Sequence, residues 1–459
     1  MFTYIRLKNF LSFDDVMFDF RHGSRGIKNL ISIYGKNGSG KSNFVSSIDF
    51  LRRSIEFSGL NKALDLAQGL PEEKNKVSKE TGDLIVQNTG ILQMAESCRM
   101  IDAEADTLVE YGFRVKDHNG YYILSFKDRF VYEKLYYFTG KQSGVLYEIT
   151  SDGEETKISF SSKLFSGKKA EDKIRKEVQK YWGKHTFLSI INKERLEKNE
   201  HYIEENYLPY VFDLLDMLKD TVVYPQTLNG ETLELPSEKP GSLLENLSEG
   251  KISLDRELML DQSEKIVRDF FTQAYADMKD LFYERRKEEN EIAYCLYVRK
   301  MIGGELRTIP FSRESAGTKR ILEILRSLLG AFCGATVVYD EIDNGIHDLL
   351  LKNILESMTD EITGQLIMTT HNTYLLESMN IRSVYLIQSD YAGKKEVKCL
   401  DQYPRIQSSN NPRNMYMKGM FGGVPVVDVI DYDEILQELD AGFPDEEGVG
   451  DHAPSGSVL

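Results

Sequence analysis

The residues with the most specific chemistry are Gly35-Lys36-Asn37-Gly38-Ser39-Gly40-Lys41-Ser42, which fit the spacing GxxxxGK[ST] in full. Glycines at these places let a turn present backbone N–H groups to an anion. A helix opening at the end of the loop adds the positive end of its dipole. In that arrangement Lys41 reaches the β- and γ-phosphates of a nucleotide and the Ser42 hydroxyl is a ligand for Mg2+. Gly35, Asn37, Gly38, Ser39, Gly40 and Asn43 make up the rest of the expected phosphate cradle. A second segment, Thr336-Val337-Val338-Tyr339-Asp340-Glu341, is an apolar strand running into two carboxylates. Asp340 is placed to hold Mg2+ through water, and Glu341 to polarise an attacking water. An acidic strand exit is common by itself. Joined to residues 35–42 it reads as the second half of a nucleotide site.

Two more segments belong to the same argument. Leu366-Ile367-Met368-Thr369-Thr370-His371 is another apolar strand, and His371 at its end is placed to sense the γ-phosphate and orient water. The same stretch also suits helix capping by Asn372 or Thr373. Ser312-Arg313-Glu314-Ser315-Ala316-Gly317-Thr318-Lys319-Arg320 precedes the Asp340 strand by one helix. Its Ser315 and Gly317 stand at a helix start, where N–H groups can bind phosphate or simply be capped.

These residues need particular elements behind them. Leu30–Tyr34 reads as a strand leading into the glycine loop, and Asn43–Ile55 as a helix leaving it with Phe44, Ile48 and Leu51 on one face. Apolar alternation over 2–20, 108–115, 121–126, 130–138 and 144–149 predicts strands, with Asn119-Gly120 as a hairpin signal. Residues 170–220 read as helical, 224–255 as a Pro-, Gly- and Ser-rich loop, and 260–285 as helix again. Ile292–Val298 and Leu306–Phe311 predict a hairpin around Gly303-Gly304. From 318 to 387 helices and strands alternate, the pattern of an α/β, mostly parallel sheet.

With 57 Lys and Arg against 73 Asp and Glu, the formal charge is −16, which excludes nucleic-acid binding by bulk charge. The densest basic stretch, Lys163 to Lys184 near Tyr181 and Trp182, is a candidate nucleic-acid contact. Glu171, Asp172 and Glu177 dilute it, as on an ordinary solvated helix face. Cys98, Cys295, Cys333 and Cys399 lack the spacing of a zinc site or a disulfide framework, which suits a reducing cytoplasm. No apolar run reaches 18 residues and the N-terminus does not read as a signal peptide, so no membrane span is expected.

The order along the chain is an N-terminal motif (Asn9-Phe10-Leu11-Ser12-Phe13), Walker A, signature, Walker B and switch histidine. It resembles the ABC-type P-loop ATPases of the SMC and OLD kind. More narrowly it resembles the stand-alone AAA/ABC-type ATPases of bacterial phage-defence and abortive-infection operons, the RloA/AbiL-like group. The pointers to that group are Glu314–Arg320 and the ending Asn414–Pro425. The resemblance implies an ABC-type ATPase sheet with a mainly helical insertion between Walker A and the signature. It implies ATP and Mg2+ as ligands, and Ser315 and Gly317 as the signature that meets a second protomer's nucleotide. The signature reads Ser-Ala-Gly where the wider family has Ser-Gly-Gly. The Q-loop has three candidates, Gln68, Gln87 and Gln93. Asn192-Lys193-Glu194-Arg195 lacks the Asp of a guanine-specifying motif, which favours ATP over GTP.

The expected division is an ATPase half over 1–160, a mainly helical insertion over 161–290, a second ATPase half over 291–425, and an acidic, partly disordered tail over 426–459. No sustained heptads separate Ser42 from Asp340, so a long coiled coil is not expected. Nor is a fused nuclease domain after His371. The expected role is a dimerising, regulatory ATPase of an anti-phage module that controls a separately encoded nuclease, with nucleic acid as a further possible partner. The competing readings are an SMC-like DNA-maintenance ATPase and an ATP-locked scaffold.

Overall fold

The computed structural model describes residues 1–23, 26–55, 91–139, 142–225, 243–244, 246–359, 361–403, 411–422, 432, 435 and 436. Gln68 and Gln87, most of the expected 224–255 loop and most of the acidic tail lie outside the described residues.

Two sheets enclose the helix that follows the glycine loop. The first has seven antiparallel strands in the order β10-β9-β8-β7-β6-β1-β2. These are β1 (Phe2–Phe10), β2 (Phe13–Asp19), β6 (Thr107–Val115), β7 (His118–Phe126), β8 (Phe130–Thr139), β9 (Gln142–Ser151) and β10 (Thr156–Phe160). The short strands β3 (Arg21–His22) and β4 (Gly26–Ile27) form a ribbon beside it. The second sheet runs β11-β16-β17-β5-β18-β19, from β5 (Leu30–Tyr34), β11 (Thr221–Tyr224), β16 (Thr336–Tyr339), β17 (Gln365–Thr369), β18 (Val384–Ser389) and β19 (Lys395–Cys399). Its first five strands are parallel and β19 is an antiparallel edge.

Alternation along the parallel strands decides what each face covers. Ile31, Ile33, Val338 and Ile367 join the core shared with α1 (Lys41–Ser54) and the antiparallel sheet. Leu30, Val337, Leu366 and Met368 face the opposite core, with α8 (Ala316–Phe332) and α9 (Asp348–Met358). Helix α1 places Phe44, Ile48 and Leu51 in the first core, and Tyr111 of β6 donates to the Ser47 carbonyl at 2.6 Å. A small third core forms around Tyr34, where Met415 and Tyr416 of α11 (Pro412–Met417) and Phe421 pack with Leu376 of α10 (Leu375–Ser378).

Between β5 and β6 lies α2 (Leu92–Ser97). Four helices follow β10: α3 (Lys168–Tyr181), α4 (Phe187–Glu197), α5 (Glu200–Asn206) and α6 (Tyr210–Lys219). They pack onto the antiparallel sheet through Ile174, Val178, Leu188 and Leu215. Beyond them the chain is less helical than expected. β11 returns to the parallel sheet beside β16, and α7 (Glu257–Ala274) stops well before residue 285. Its place is taken by β13 (Met278–Lys287), which with β12 (Glu249–Ser253), β14 (Glu291–Ile302) and β15 (Glu305–Pro310) makes a four-stranded sheet. β12 lies within the stretch expected to be loop. Charged residues in β13 conceal its apolar face of Met278, Leu281 and Tyr283, spaced by a bulge after Met278 and buried by pairing with β14.

The two hairpin signals fare differently. Gly303 and Gly304 form the β14–β15 turn, both with positive φ. The β6–β7 turn instead uses Lys116 and Asp117, at φ 47° and 62°. Asn119 and Gly120 lie inside β7. Gly120 is needed there because a Cβ would sit 2.5 Å from the Phe113 ring and 2.7 Å from the Tyr136 carbonyl.

Candidate functional site

The expected site residues stand at the C-terminal ends of neighbouring parallel strands, where open α/β sheets bind ligands. β5 leads into the glycine loop, β16 into Asp340 and Glu341, and β17 into Thr370 and His371. β17 lies between β16 and β5, so the His371 segment is flanked by the carboxylates and the loop.

The loop is tightly built. At Gly35 a Cβ would come within 2.3 Å of Ser39 Oγ, and at Gly40 (φ 110°) within 2.7 Å of the Phe13 ring. Gly40 is the N-cap of α1 without a side-chain cap, so no capping side chain takes the first-turn N–H groups of the helix. Lys41 is buried, and its Nζ donates to the Gly35 carbonyl at 3.0 Å. Burial holds its pKa below the usual lysine value, against the opposing pull of Glu341, Asp340 and Asp343. Ser39 Oγ is fully buried and has no hydrogen-bond partner among the described residues.

The carboxylate end is fixed by Thr369. Its hydroxyl donates to Asp340 Oδ1 at 2.5 Å and accepts from the Glu341 N–H at 2.8 Å. Glu341 is held at φ 50°, an uncommon conformation for a residue with a side chain. Its carboxylate lies 4.0 Å from His371 Nε2. The His371 N–H donates to Asp343 at 3.2 Å. Burial, then the charge of Lys41, lower the His371 pKa, while Asp343, Glu341 and Asp340 oppose the shift. The imidazole is therefore neutral at neutral pH. Asn372 accepts from the Tyr374 N–H at 2.9 Å, so the capping-type turn forms beside the half-buried histidine, one residue on.

A nucleotide fits this cradle. The N–H groups at the α1 terminus, the orphaned Ser39 hydroxyl and Lys41 are the donor set a polyphosphate requires. Among the described residues no group of three or more His, Cys, Asp or Glu forms a metal cage. A Mg2+ ion here would be held by Ser42, Asp340 and the phosphates themselves, the usual mode for that ion.

Ser315 and Gly317 stand apart from this cluster. Ser315 is exposed and N-caps α8, accepting from the Thr318 N–H at 3.1 Å. Among the described residues no hydrogen bond or ion pair joins it to the glycine loop of its own chain. Gly317 packs where a Cβ would lie 2.7 Å from the Gly345 carbonyl, just past Asp343. Gln93, the described Q-loop candidate, is exposed on α2. In the basic stretch, Lys173 pairs with Glu194 and Arg175 with Glu171. No described helix is long and apolar enough to cross a membrane.

Sequence reasoning missed Thr369, Asp343 and Lys395. Thr369 and Asp343 lie within three residues of assigned positions, a usable signal. Lys395 has none: it is the first residue of the edge strand β19, and its Nζ bonds to Ser12 Oγ and, at 3.1 Å, to the Gly38 carbonyl.

No curated protein matches the chain. Among solved structures it is similar to an SMC head bound to the C-winged helix domain of ScpA, at 13% identity and TM-score 0.40, covering 86% of this chain and 96% of that one. It is also similar to an Smc head domain with an extended coiled coil bound to the C-terminal domain of ScpA, derived from Pyrococcus furiosus. There identity is 13% and TM-score 0.38, over 86% and 95% of the two chains. Residues 30–377 match the family described as "AAA domain, putative AbiEii toxin, Type IV TA system", and the chain belongs to that AAA family.

Proposed function

We propose that this protein binds and hydrolyses ATP as an ABC-type ATPase. The observation that carries the reading is the convergence of Lys41, Asp340, Glu341 and His371 from three adjacent strand ends around a cradle with an unpaired Ser39 hydroxyl. Lys41 and the N–H groups of the loop bind the β- and γ-phosphates and stabilise charge there as the terminal P–O bond breaks. Glu341 accepts the proton of the attacking water, and neutral His371 orients that water beside it. The products are ADP and inorganic phosphate. When bound, Mg2+ at Ser42 and Asp340 supplies neutralisation of phosphate charge. ATP is the expected nucleotide, with Gly35, Asn37, Gly38, Gly40 and Asn43 shaping the cradle.

Two protomers close head to tail in this reading, with Ser315 and Gly317 of one meeting the nucleotide of the other. The exposed Ser315 at a helix start supports it. So does the contact of Gly317 with Gly345, which couples the signature to the loop carrying Asp343. The family description names an AbiEii toxin and a Type IV TA system. That supports a role in a bacterial defence module, as a cytoplasmic regulator of a separately encoded nuclease in the manner of the RloA/AbiL-like group.

The test separates binding from chemistry. Lys41→Ala should abolish ATP binding, whereas Glu341→Gln should bind ATP and lose turnover by about 10²–10⁴-fold. Equal loss of affinity in both variants would overturn the assignment of Glu341. ATP should dimerise the Glu341→Gln protein most strongly. Mixing Lys41→Ala with Ser315→Arg chains should leave at most one intact composite site per heterodimer. Sedimentation unaffected by ATP at every protein concentration would remove the dimer from the reading.

A further inference from the structure

Two lysines are buried among the described residues, Lys41 and Lys395, and both end on the glycine loop. Lys41 holds its start through the Gly35 carbonyl. Lys395 holds its middle through the Gly38 carbonyl, and its Nζ would be 3.3 Å from a Cβ at Gly40. Their electrostatic surroundings differ. Lys41 feels three carboxylates, whereas the charge that acts on Lys395 is another cation, Lys36. Among the described residues no carboxylate pairs with Lys395. Its partners are a hydroxyl, a carbonyl and the Phe13 ring, 5.4 Å from Nζ. A cation removed from water without a counter-charge is costly to fold. A lysine serving only to fasten the loop would be better replaced by a neutral donor.

The position of Lys395 indicates which phosphate supplies the missing charge. Ser12 Oγ, which takes Lys395, also accepts from Asn43 Nδ2 at 2.6 Å. Asn43 lies on the first turn of α1, beyond Ser42. A loop of this kind cradles the α- and β-phosphates with its N–H groups, while its lysine reaches the β- and γ-phosphates. The Lys395–Ser12–Asn43 chain therefore lies on the α-phosphate side, opposite Lys41.

We propose that Lys395 is a second cationic contact for the nucleotide, donating to the α-phosphate side of bound ATP or ADP from the β18–β19 hairpin. This rests on the nucleotide-site reading above. It makes the edge strand part of the binding site and gives the pocket a grip that persists after the γ-phosphate is gone.

The experiment measures ATP and ADP affinity by calorimetry, and the thermal midpoint without nucleotide, for the full chain as wild type, Lys395→Met and Lys41→Ala. Lys395→Met should weaken ATP and ADP alike, by about tenfold, a loss typical of one charge-assisted bond. The nucleotide-free midpoint should stay level or rise, because an unpaired buried charge has been removed. Unchanged affinity for both nucleotides would overturn the proposal. So would a loss confined to ATP, or a fallen midpoint with affinity intact, which marks a purely structural clamp. Should Lys395→Met fail to fold, Lys395→Gln keeps a neutral donor and is read the same way. If wild type binds neither nucleotide, the nucleotide-site reading itself fails. If wild type binds, Lys41→Ala does not, and the Lys395 variants bind as wild type, only the present inference fails.

Discussion

Glu133 and Lys395 are both charged side chains buried in the fold, and their surroundings are opposite. Glu133 of β8 is fully buried. Its two oxygens accept from Tyr122 of β7 at 2.8 Å, Tyr147 of β9 at 3.0 Å and Trp182 Nε1 at 2.8 Å. They also accept from the N–H groups of Phe187 and Leu188, in the first turn of α4, at 2.6 and 3.3 Å. Burial raises its pKa, while the surrounding hydrogen bonds act to lower it. A carboxylate at a helix N-terminus, with its lone pairs occupied, has no capacity left for a ligand. It fastens the helical segment to the antiparallel sheet. At the glycine loop, among the described residues, Lys395 has no counter-charge and Ser39 Oγ no partner, and Glu341 is held at positive φ. A closed set of partners marks a structural joint, and an open one marks a place where something binds.

The largest effect that could break this contrast is at the joint. Glu133→Ala should destabilise the protein by about 3–5 kcal/mol, because several buried donors lose their acceptor at about 1–3 kcal/mol each and some find other partners. It strands two tyrosine hydroxyls, an indole N–H and two backbone N–H groups. Chemical denaturation gives the value. A loss below about 1 kcal/mol would mean water readily replaces the carboxylate and that the closed network is not a joint.

The legibility of the two regions differs for a physical reason. The strand ends carrying Lys41, Asp340 and His371 could be read because each is a local pattern: apolar run, then glycine, carboxylate or histidine. Partners that meet through the sheet, such as Lys395 and Gly38, leave no local trace. Along the sequence Glu133 is one polar residue in an alternating strand, since its donors lie on β7, β9, α4 and the end of α3. The same limit explains the misread elements. Residues 278–287 carry charges that suit a helix until β14 supplies a partner, and Gly120 is a glycine for cross-strand clearance rather than for a turn.

A smaller effect tests whether the open region is ordered before ligand arrives. Thr369→Val keeps the shape of the side chain but removes the hydroxyl that joins Asp340 to the Glu341 N–H. ATP affinity should change little, because Lys41 and the loop are untouched. Turnover at saturating ATP should fall about tenfold, corresponding to one hydrogen bond of about 1.4 kcal/mol in the transition state. Thr369→Ser should recover most of it. A change in KM with kcat intact would place Thr369 in binding instead of positioning.

The smallest effect is a titration, and it probes the charges around the open site one at a time. His371 is held below its ordinary pKa of 6.5 by burial and then by Lys41, against the opposing influence of Asp343, Glu341 and Asp340. In the nucleotide-free protein its NMR titration midpoint should therefore lie below 6.5. Two variants should move that midpoint in opposite directions. Lys41→Ala removes a cation that disfavours the imidazolium, so the midpoint should rise. Asp343→Asn removes an anion that favours it and keeps an acceptor for the His371 N–H, so the midpoint should fall. The signs follow from the depressed value: the neutral imidazole persists above 6.5, and protonation begins only as pH drops through the lower midpoint. Shifts of the same sign in both variants would mean that His371 responds to a general rearrangement. Opposite signs would mean that it reads the charge at the strand ends, as the proposed role beside the γ-phosphate requires.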